Sequence, residues 1–423
     1  MTFKKLTLKN GLRIILAPKE DSLASTILIL VEAGSKYEAR EVNGLSHFLE
    51  HMCFKGTERR PRAIDIASEL DSIGSLYNAF TGLEYTGYFA KAEPRHFDTI
   101  LDVVSDIYLN QIFDQKEINK ERGVIIEEIN MYEDLPMRRV HELFTELLYG
   151  DQPAGWSIAG RKEIIQKLNR EDFIKYKGEH YLGQSTIVVL AGKFDEGAAA
   201  EKIENAFSQI KITPKVGKIK TEEKQEKPGV CLKSKKTDQT HLILGVRAFD
   251  VFDERKYALD LLVDILGGSM SSRLFQKIRE EMGAAYYVRA GADLFSDHGY
   301  LAAQAGIDYN RIEAVLEAIL EEFKKIKEKP VSDAELEKAK EHSVGTLMLG
   351  LETSDALAGF YGDQEVVTRR LVSPQELASK IRKVKAEEIQ AVASEIFKDE
   401  RLNLAVIGPL TNQEKFEKIL TLR

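Results

Sequence analysis

The sequence predicts an α+β protein with two tandem, structurally similar domains, each a mixed or antiparallel sheet packed with helices. Its 423 residues exceed what one ordinary hydrophobic core holds. Residues 212–229 read ITPKVGKIKTEEKQEKPG, a polar, lysine-rich stretch with prolines that is typical of a domain linker. The order of predicted elements repeats on its two sides. We therefore expect an N-terminal domain at residues 1–211 and a C-terminal domain at 230–423.

The first domain is predicted to begin with a β-hairpin. Residues 1–18 alternate apolar and polar side chains and turn at Asn10-Gly11, a dipeptide that favours tight hairpin turns. The periodicities that follow predict a strand at 25–33, helices over 47–51 and at 64–73, a strand at 78–92 and a helix at 94–109.

The second domain is predicted to contain the same elements as the first, in the same order. The expected order is a strand at 240–248, helices at 254–266 and 271–282, strands at 286–294 and 299–308, and a helix at 310–326. Two copies of one α+β unit follow from this order.

Composition excludes several classes of protein. The chain is 43% hydrophobic and 30% charged, as in globular and not in disordered proteins. Its 68 acidic and 60 basic residues give a net charge of −8 without a long basic block, so no nucleic-acid partner is expected. Cys53 and Cys231 form no disulfide framework and suit a reducing compartment. With no export signal and no apolar run of about 18 residues, the sequence predicts a cytoplasmic protein without a membrane partner.

Residues 47–51 read His-Phe-Leu-Glu-His, a pattern that suits one metal ion on a helix. Four residues are about 400° of helical rotation, so His47 and His51 lie on one face, one turn apart. Two imidazoles and one carboxylate leave a position of zinc open for a water whose pKa falls to about 7. Glu50 is offset from that face, which makes it the candidate general base for this water.

A carboxylate is needed as the third ligand. Residues 117–134 (EINKERGVIIEEINMYED) are a charged helical stretch in which Glu121 and Glu128 lie seven residues (128 − 121), or two turns, apart on one stripe. If Glu128 binds the metal, Glu121 is placed to hydrogen-bond a ligand or the base. Glu127 is the alternative to Glu128 as the ligand, and Glu121 could instead form a surface ion pair. For His47, Glu50 and His51 the alternative is a solvated, charged helix face without a metal.

Residues 44–57 (GLSHFLEHMCFKGT) resemble the inverted zinc-binding element of the pitrilysin/insulinase family, the inverzincins. In that family the third ligand is a Glu in a segment that resembles ERGVIIEE, and here 76 residues (128 − 51 − 1) separate His51 from Glu128. The resemblance implies a zinc metalloendopeptidase with one Zn²⁺ per chain, bound by His47, His51 and Glu128, with Glu50 as the base.

A second segment resembles the family's strand beside the active site. It comprises Asn78, Ala79, Phe80 and Thr81, followed by Glu84, Tyr85 and Thr86. The resemblance implies that residues 78–81 bind an extended peptide substrate by β-strand addition.

A third segment extends the resemblance over nearly the whole chain. Residues 266–276 (LGGSMSSRLFQ), 278–280 (IRE) and Tyr286 resemble the family's second-half signature. This implies that Arg279 and Tyr286 contact the substrate and help hold the developing oxyanion. A surface ion pair for Arg279 and a core position for Tyr286 are the alternatives.

The two halves are not equivalent at the metal site. When Phe113 is set against Val331, an offset of 218 (331 − 113), Glu121 falls on Ala339 and Glu128 on Thr346. The second domain therefore lacks the ligands, and one metal site per chain is expected.

The resemblance also implies an assembly. Paired α+β domains of the family form half of a hollow clamshell, and this chain is similar to the half-length subunits of mitochondrial processing peptidase. We therefore expect a homodimer with composite active sites, in which Arg279 and Tyr286 serve the partner subunit's zinc site, acting on peptides or unfolded polypeptides. The alternatives are a non-catalytic subunit of a family hetero-oligomer and an active subunit that depends on an inactive partner chain.

Overall fold

The computed structural model of the protein describes residues 3–422. Its strands are β1 (Lys4–Thr7), β2 (Arg13–Pro18), β3 (Ser25–Val31), β4 (Leu76–Thr81), β5 (Thr86–Ala92), β6 (Thr186–Gly192), β7 (Gly229–Ser234), β8 (Thr240–Ala248), β9 (Ala285–Leu294), β10 (Gly299–Ile307) and β11 (Leu402–Gly408). Its α-helices are α1 (Leu45–Cys53), α2 (Ala63–Asp71), α3 (Phe97–Leu109), α4 (Gln115–Asp134), α5 (Pro136–Tyr149), α6 (Lys162–Ile165), α7 (Arg170–His180), α8 (Glu196–Ala206), α9 (Lys256–Val263), α10 (Ile312–Glu328), α11 (Asp333–Gly350), α12 (Ser354–Thr368), α13 (Pro374–Lys383), α14 (Ala386–Ile396) and α15 (Gln413–Ile419). Within residues 3–422, no helix combines the length and the apolar character that a bilayer crossing requires.

Two sheets of the same topology confirm the predicted fold class. The first has the strand order β1-β2-β6-β3-β5-β4 and the second β7-β11-β8-β10-β9. In the first, only β2 and β6 of the described neighbouring strands run parallel, and in the second only β7 and β11 do. The second sheet thus repeats the first from β2 to β4, and β1 is an addition that forms the predicted N-terminal hairpin with β2.

Alternating side chains of the first sheet face two hydrophobic cores. In β3, Ile27 and Ile29 face one core, and Leu28 and Leu30 face the other. The first core packs against α1, α3 and α7, while α12 covers the second core. Because helices cover both faces, β3 is buried along its whole length.

The single strand predicted at residues 78–92 is wrong, since the structure has the hairpin β4–β5 there. The turn begins at Gly82, whose N–H donates to the carbonyl oxygen of Tyr85 (2.9 Å). The backbone N–H groups of Ser35 and Lys36 donate to the carbonyl oxygens of Gly82 and Leu83 (3.2 and 2.8 Å). These long-range hydrogen bonds stabilise the turn. The sequence pattern of residues 78–92 is that of one continuous strand and does not indicate a turn.

The predicted helices at 254–266 and 271–282 form with a change of helix type. After α9 the chain continues as a π-helical segment, Asp264–Gly268, and a second one spans Phe275–Glu281. A Cβ atom at Gly267 would lie 2.2 Å from the backbone nitrogen of Ala290 in β9. Glycine at this position therefore allows the helical segment to approach the edge of the second sheet closely.

The offset between the two halves agrees with the alignment of the sequence. Helix α4 begins at Gln115 and α11 at Asp333, a difference of 218 residues (333 − 115). Glu121 and its counterpart Ala339 are both buried. The second copy thus places a methyl group where the first places a carboxylate.

The chain divides into two compact units that do not follow chain order throughout. The first unit comprises the described residues up to Asn130, together with Ser157–Ile219 and Met348–Gln375. The second comprises Met131–Trp156, Lys220–Leu347 and the described residues from Glu376 onward. Between the two long segments Ser157–Ile219 and Lys220–Leu347, the chain passes from the first unit to the second at 219/220, inside the expected linker. With boundaries at 211 and 230, α5 would belong to the N-terminal domain and α12 to the C-terminal domain. In the structure α5 belongs to the second unit and α12 to the first, because the burial of their apolar faces decides where these helices pack.

Candidate metal centre

The N-terminus of α1 is held by a buried carboxylate. Glu38 accepts hydrogen bonds from the backbone N–H groups of Gly44 (2.8 Å) and Ser46 (2.6 Å). Burial raises the pKa of Glu38 to about 7 despite these hydrogen bonds. Gly44 has φ +98° where the chain enters the helix, a conformation that favours glycine. No sequence pattern singles out Glu38, because it lies seven residues (45 − 38) before the first residue of the helix and outside the usual capping position.

The structure brings the three predicted ligands to one point in the first unit. Nε2 of His47 lies 3.6 Å and Nε2 of His51 3.7 Å from Oε2 of Glu128. One ligand atom from each residue can be chosen so that all three lie within 4.8 Å of one another. Glu127, the alternative ligand, is exposed on α4. The geometry therefore favours Glu128 over Glu127.

These residues fit a zinc ion. Nitrogen and oxygen ligands at about 2.0–2.1 Å from a tetrahedral zinc lie about 3.4 Å apart, close to the observed 3.6 and 3.7 Å. The pKa of His47 is lowered to about 4, first by burial and then by the neighbouring His51, with Glu128 opposing. His47 is therefore neutral near pH 7, as a metal ligand must be.

Glu121 orients the imidazole of His51 through Nδ1, the ring nitrogen that does not face Glu128. A carboxylate only accepts, so Nδ1–H of His51 donates to Oε1 of Glu121 (2.9 Å) and Nε2 is left for a metal. Nζ of Lys55 lies 2.7 Å from Oε2 of Glu121. Burial alone would raise the pKa of Glu121, but hydrogen bonds from His51 and Lys55 hold it below its usual value. The pKa of His51 is raised, because Glu121 and the nearby carboxylates Glu50 and Glu128 outweigh its burial.

Glu50 lies beside the three candidate ligands, and its carboxylate is hydrogen-bonded to β4. Its Oε2 accepts a hydrogen bond from the hydroxyl of Thr81 in β4 (2.5 Å). Burial raises the pKa of Glu50, while the hydrogen bond from Thr81 opposes that shift. A carboxylate with a raised pKa next to a metal site is suited to take and return a proton.

The predicted substrate strand lies at the edge of the first sheet. β4 pairs with β5 on one side and is the last strand of that sheet within residues 3–422. Its side chains alternate, with Leu76, Asn78 and Phe80 exposed and Tyr77, Ala79 and Thr81 half-buried. Among residues 78–81, only Thr81 reaches the site by a described hydrogen bond, and Phe80 packs over Gly87.

Arg279 and Tyr286 belong to the second unit, where they are neighbours. The guanidinium carbon of Arg279 lies 5.9 Å from the ring centroid of Tyr286 and 5.0 Å from that of Phe275. Tyr286 is 73% exposed, which contradicts the alternative of a core position. It stands at the start of β9, the edge strand that corresponds to β4 in the repeat.

Comparison with protein families matches both halves of the chain. Residues 13–162 match the family described as insulinase (peptidase family M16). Residues 167–342 match a domain described as the peptidase M16 inactive domain. The first match contains all three candidate ligands, and the second contains Arg279 and Tyr286.

Curated relatives are similar over almost the full length. "Uncharacterized zinc protease YmxG" of Bacillus subtilis is 35% identical over 410 residues, which are 97% of this chain and 99% of that protein. An "uncharacterized zinc protease" of Streptomyces coelicolor is 32% identical over 422 residues, 98% of this chain and 91% of that protein.

Solved structures share the fold. A protease from Helicobacter pylori superposes with a TM-score of 0.91 at 23% identity, covering 96% of this chain and 99% of that one. A peptidase M16 inactive domain from Pseudomonas fluorescens gives a TM-score of 0.90 at 15% identity, covering 98% and 100%. Both align over almost their whole length, so the likeness covers the two-domain fold of this chain.

Proposed function

Because this chain belongs to the insulinase family of M16 peptidases, we propose that it is a zinc metalloendopeptidase that cleaves peptides and unfolded polypeptides. The observation that carries the proposal is the convergence of His47, His51 and Glu128 on one point, with Glu50 beside them. The "inactive domain" description covers residues 167–342 and does not include these four side chains. The intact donor set favours an active peptidase over a non-catalytic subunit.

Each side chain has a defined task in this proposal. A bound zinc ion supplies Lewis-acid chemistry and lowers the pKa of a water to about 7. His47, His51 and Glu128 hold the ion, and Glu121 keeps His51 in the tautomer that presents Nε2. The carboxylate of Glu50 takes the proton from the attacking water and passes it to the nitrogen of the leaving amine.

The edge strand β4 offers a site for an extended substrate. Its outer backbone N–H and C=O groups face no other strand of the first sheet within residues 3–422, so a peptide can pair with it by β-strand addition. Side-chain preference would then depend on the alternate positions of the substrate. We propose that the backbone of residues 78–81 (Asn78, Ala79, Phe80 and Thr81) forms this surface.

Zinc content and cleavage test the function together. The purified chain is expected to hold one zinc ion and to cleave an unfolded polypeptide, to lose both with a chelator, and to recover both when zinc is added. Zinc uptake should weaken as the pH falls, because a proton on His51, whose pKa is raised, competes with the metal. Metal analysis and a fluorogenic peptide assay measure the two. A chain that binds zinc but cleaves only with another protein present would instead be a partner-dependent subunit.

Arg279 and Tyr286 are proposed to hold the oxyanion in the partner subunit's site of a cytoplasmic homodimer. A mixture of Glu50→Gln and Arg279→Ala chains tests this arrangement. Each variant alone is expected to be nearly inactive. Random pairing restores one complete site in half of the dimers, so the mixture should recover about one quarter of wild-type activity. Heterodimers shown by differential tagging but without recovered activity would contradict composite sites.

A further inference from the structure

Thr81 is part of the substrate strand β4, and its side chain also contacts the proposed base, Glu50. Its hydroxyl donates to Oε2 of Glu50 at 2.5 Å, a short charge-assisted hydrogen bond. One carboxylate oxygen is thereby held, and Oε1 is left for proton transfer. A glutamate has several rotatable bonds, so a fixed oxygen removes orientations in which Glu50 would miss the water.

The turn that follows Thr81 is anchored by buried charges. Glu84 in this turn is only 7% exposed, and its Oε1 lies 3.6 Å from Nζ of the buried Lys36. Lys218, from the segment expected to be the linker, also pairs with Glu84. Glu84 and Lys36 are largely removed from water, whereas the side chain of Lys218 is 19% exposed. Loss of either lysine removes part of the charge compensation of a buried carboxylate.

Two more contacts hold the hairpin where the turn ends and β5 begins. The hydroxyl of Tyr85 donates to Oδ1 of Asp363 on α12 (3.0 Å). The hydroxyl of Thr86 donates to the carbonyl oxygen of Ala33 (2.8 Å) and lies 3.5 Å from Oγ1 of Thr81. The position of the Thr81 hydroxyl therefore follows from the position of the whole turn.

We propose that Thr81 is a positioning residue that aims the carboxylate of Glu50, and that the ion pairs of Glu84 with Lys36 and Lys218 keep Thr81 in place. The role rests on the peptidase function proposed above. It differs from the strand's role in substrate binding, because it acts on the rate of the chemical step and not on affinity.

Substitutions at Thr81 separate the two roles. Thr81→Val keeps the shape and removes the hydroxyl, and we expect it to lower kcat about tenfold, the size expected for one hydrogen bond to a charged group. KM and zinc content should stay unchanged, and Thr81→Ser should keep most of kcat. A change confined to KM, or equal losses for Val and Ser, would overturn the proposal.

A double-mutant cycle tests whether Thr81 acts through Glu50. In the Glu50→Gln background, Thr81→Val should have no further effect on the residual rate. An equal tenfold loss in both backgrounds would show that Thr81 acts independently of the base. Loss of zinc-dependent cleavage in Glu50→Gln itself tests the peptidase function, so failure of that function is distinguished from failure of the positioning role.

Crystal structures provide a readout without activity. In zinc-free Thr81→Val, the carboxylate of Glu50 should leave its present position or occupy several rotamers, whereas Thr81→Ser should preserve it. An unchanged Glu50 in Thr81→Val would overturn the proposal whether or not the protein cleaves peptides.

Two linker lysines provide a matched comparison for the anchored turn. Lys218→Met is expected to lower kcat about two- to fivefold, as for a partly exposed ion pair, and to add nothing to Thr81→Val. Lys215→Met removes a similar ion pair, with Glu32, which keeps Arg13 and Arg369 as partners. It should leave kcat unchanged, and equal losses for the two lysine variants would show that Lys218 acts through the linker in general and not through the turn.

Discussion

Replacing Glu50 with Gln is expected to lower kcat for peptide cleavage by about 10²–10⁴-fold while zinc remains bound. The amide has nearly the shape of the carboxylate and can still accept the hydrogen bond from Thr81. It cannot take a proton from water, so only the acid–base step is lost. Turnover of a fluorogenic peptide and the zinc content per chain measure the two quantities on the same preparation.

A charge-matched control accompanies this variant. Glu41 is exposed on the segment before α1, and Glu41→Gln makes the same charge change without touching the site. It should retain wild-type kcat. Cleavage by Glu50→Gln at a rate comparable to the wild type would show that another group serves as the base.

The pH profile gives the same assignment by a second route. Burial raises the pKa of Glu50 above its ordinary value. The positive charge of a bound zinc ion opposes this shift. The base acts in its ionised form, so the wild-type rate should fall as the pH drops through the pKa that Glu50 has with zinc bound. The residual activity of Glu50→Gln should lack the part of the acid limb that Glu50 contributes.

Replacing Glu128 with Gln is expected to remove zinc and activity together. Oε2 of Glu128 lies within 3.7 Å of Nε2 of both histidines, so the substitution replaces the negative oxygen donor of the set with a neutral amide. Loss of a residue that only supports a ligand costs about 10–100-fold in metal affinity, and the loss of a ligand should cost more. Competition with a chromogenic chelator measures the affinity.

The adjacent residue supplies the control for this substitution. Glu127 carries the same charge on the same helix but is exposed. Glu127→Gln should keep wild-type zinc affinity and cleavage. Zinc loss in Glu127→Gln with zinc retained in Glu128→Gln would reverse the ligand assignment.

Most of the fold could be predicted because the signals were local. The strand at 240–248 agrees with β8, and the Asn10-Gly11 turn lies in the predicted hairpin. The errors arose where distant segments decide the structure. The β4–β5 turn depends on hydrogen bonds from Ser35 and Lys36, and the π-helical segment at Asp264–Gly268 depends on close packing against β9.

The candidate site divides in the same way. A helix repeats every 3.6 residues, so the sequence by itself determined that His47 and His51 share a face and that Glu50 is offset from it. The same regularity put Glu121 and Glu128 on one stripe. The alignment of the two halves showed that their counterparts, Ala339 and Thr346, carry no carboxylate.

Only the tertiary structure showed which stripe of α4 faces α1, and this placement favours Glu128, the ligand that the resemblance implies, over Glu127. It also decided that Glu38 caps α1, that Lys55 pairs with Glu121, and that Thr81 meets Glu50. The physical reason is that helical and strand periodicity set directions within one element. Contacts between elements depend on how apolar faces pack, and residues far apart in the chain determine that packing together.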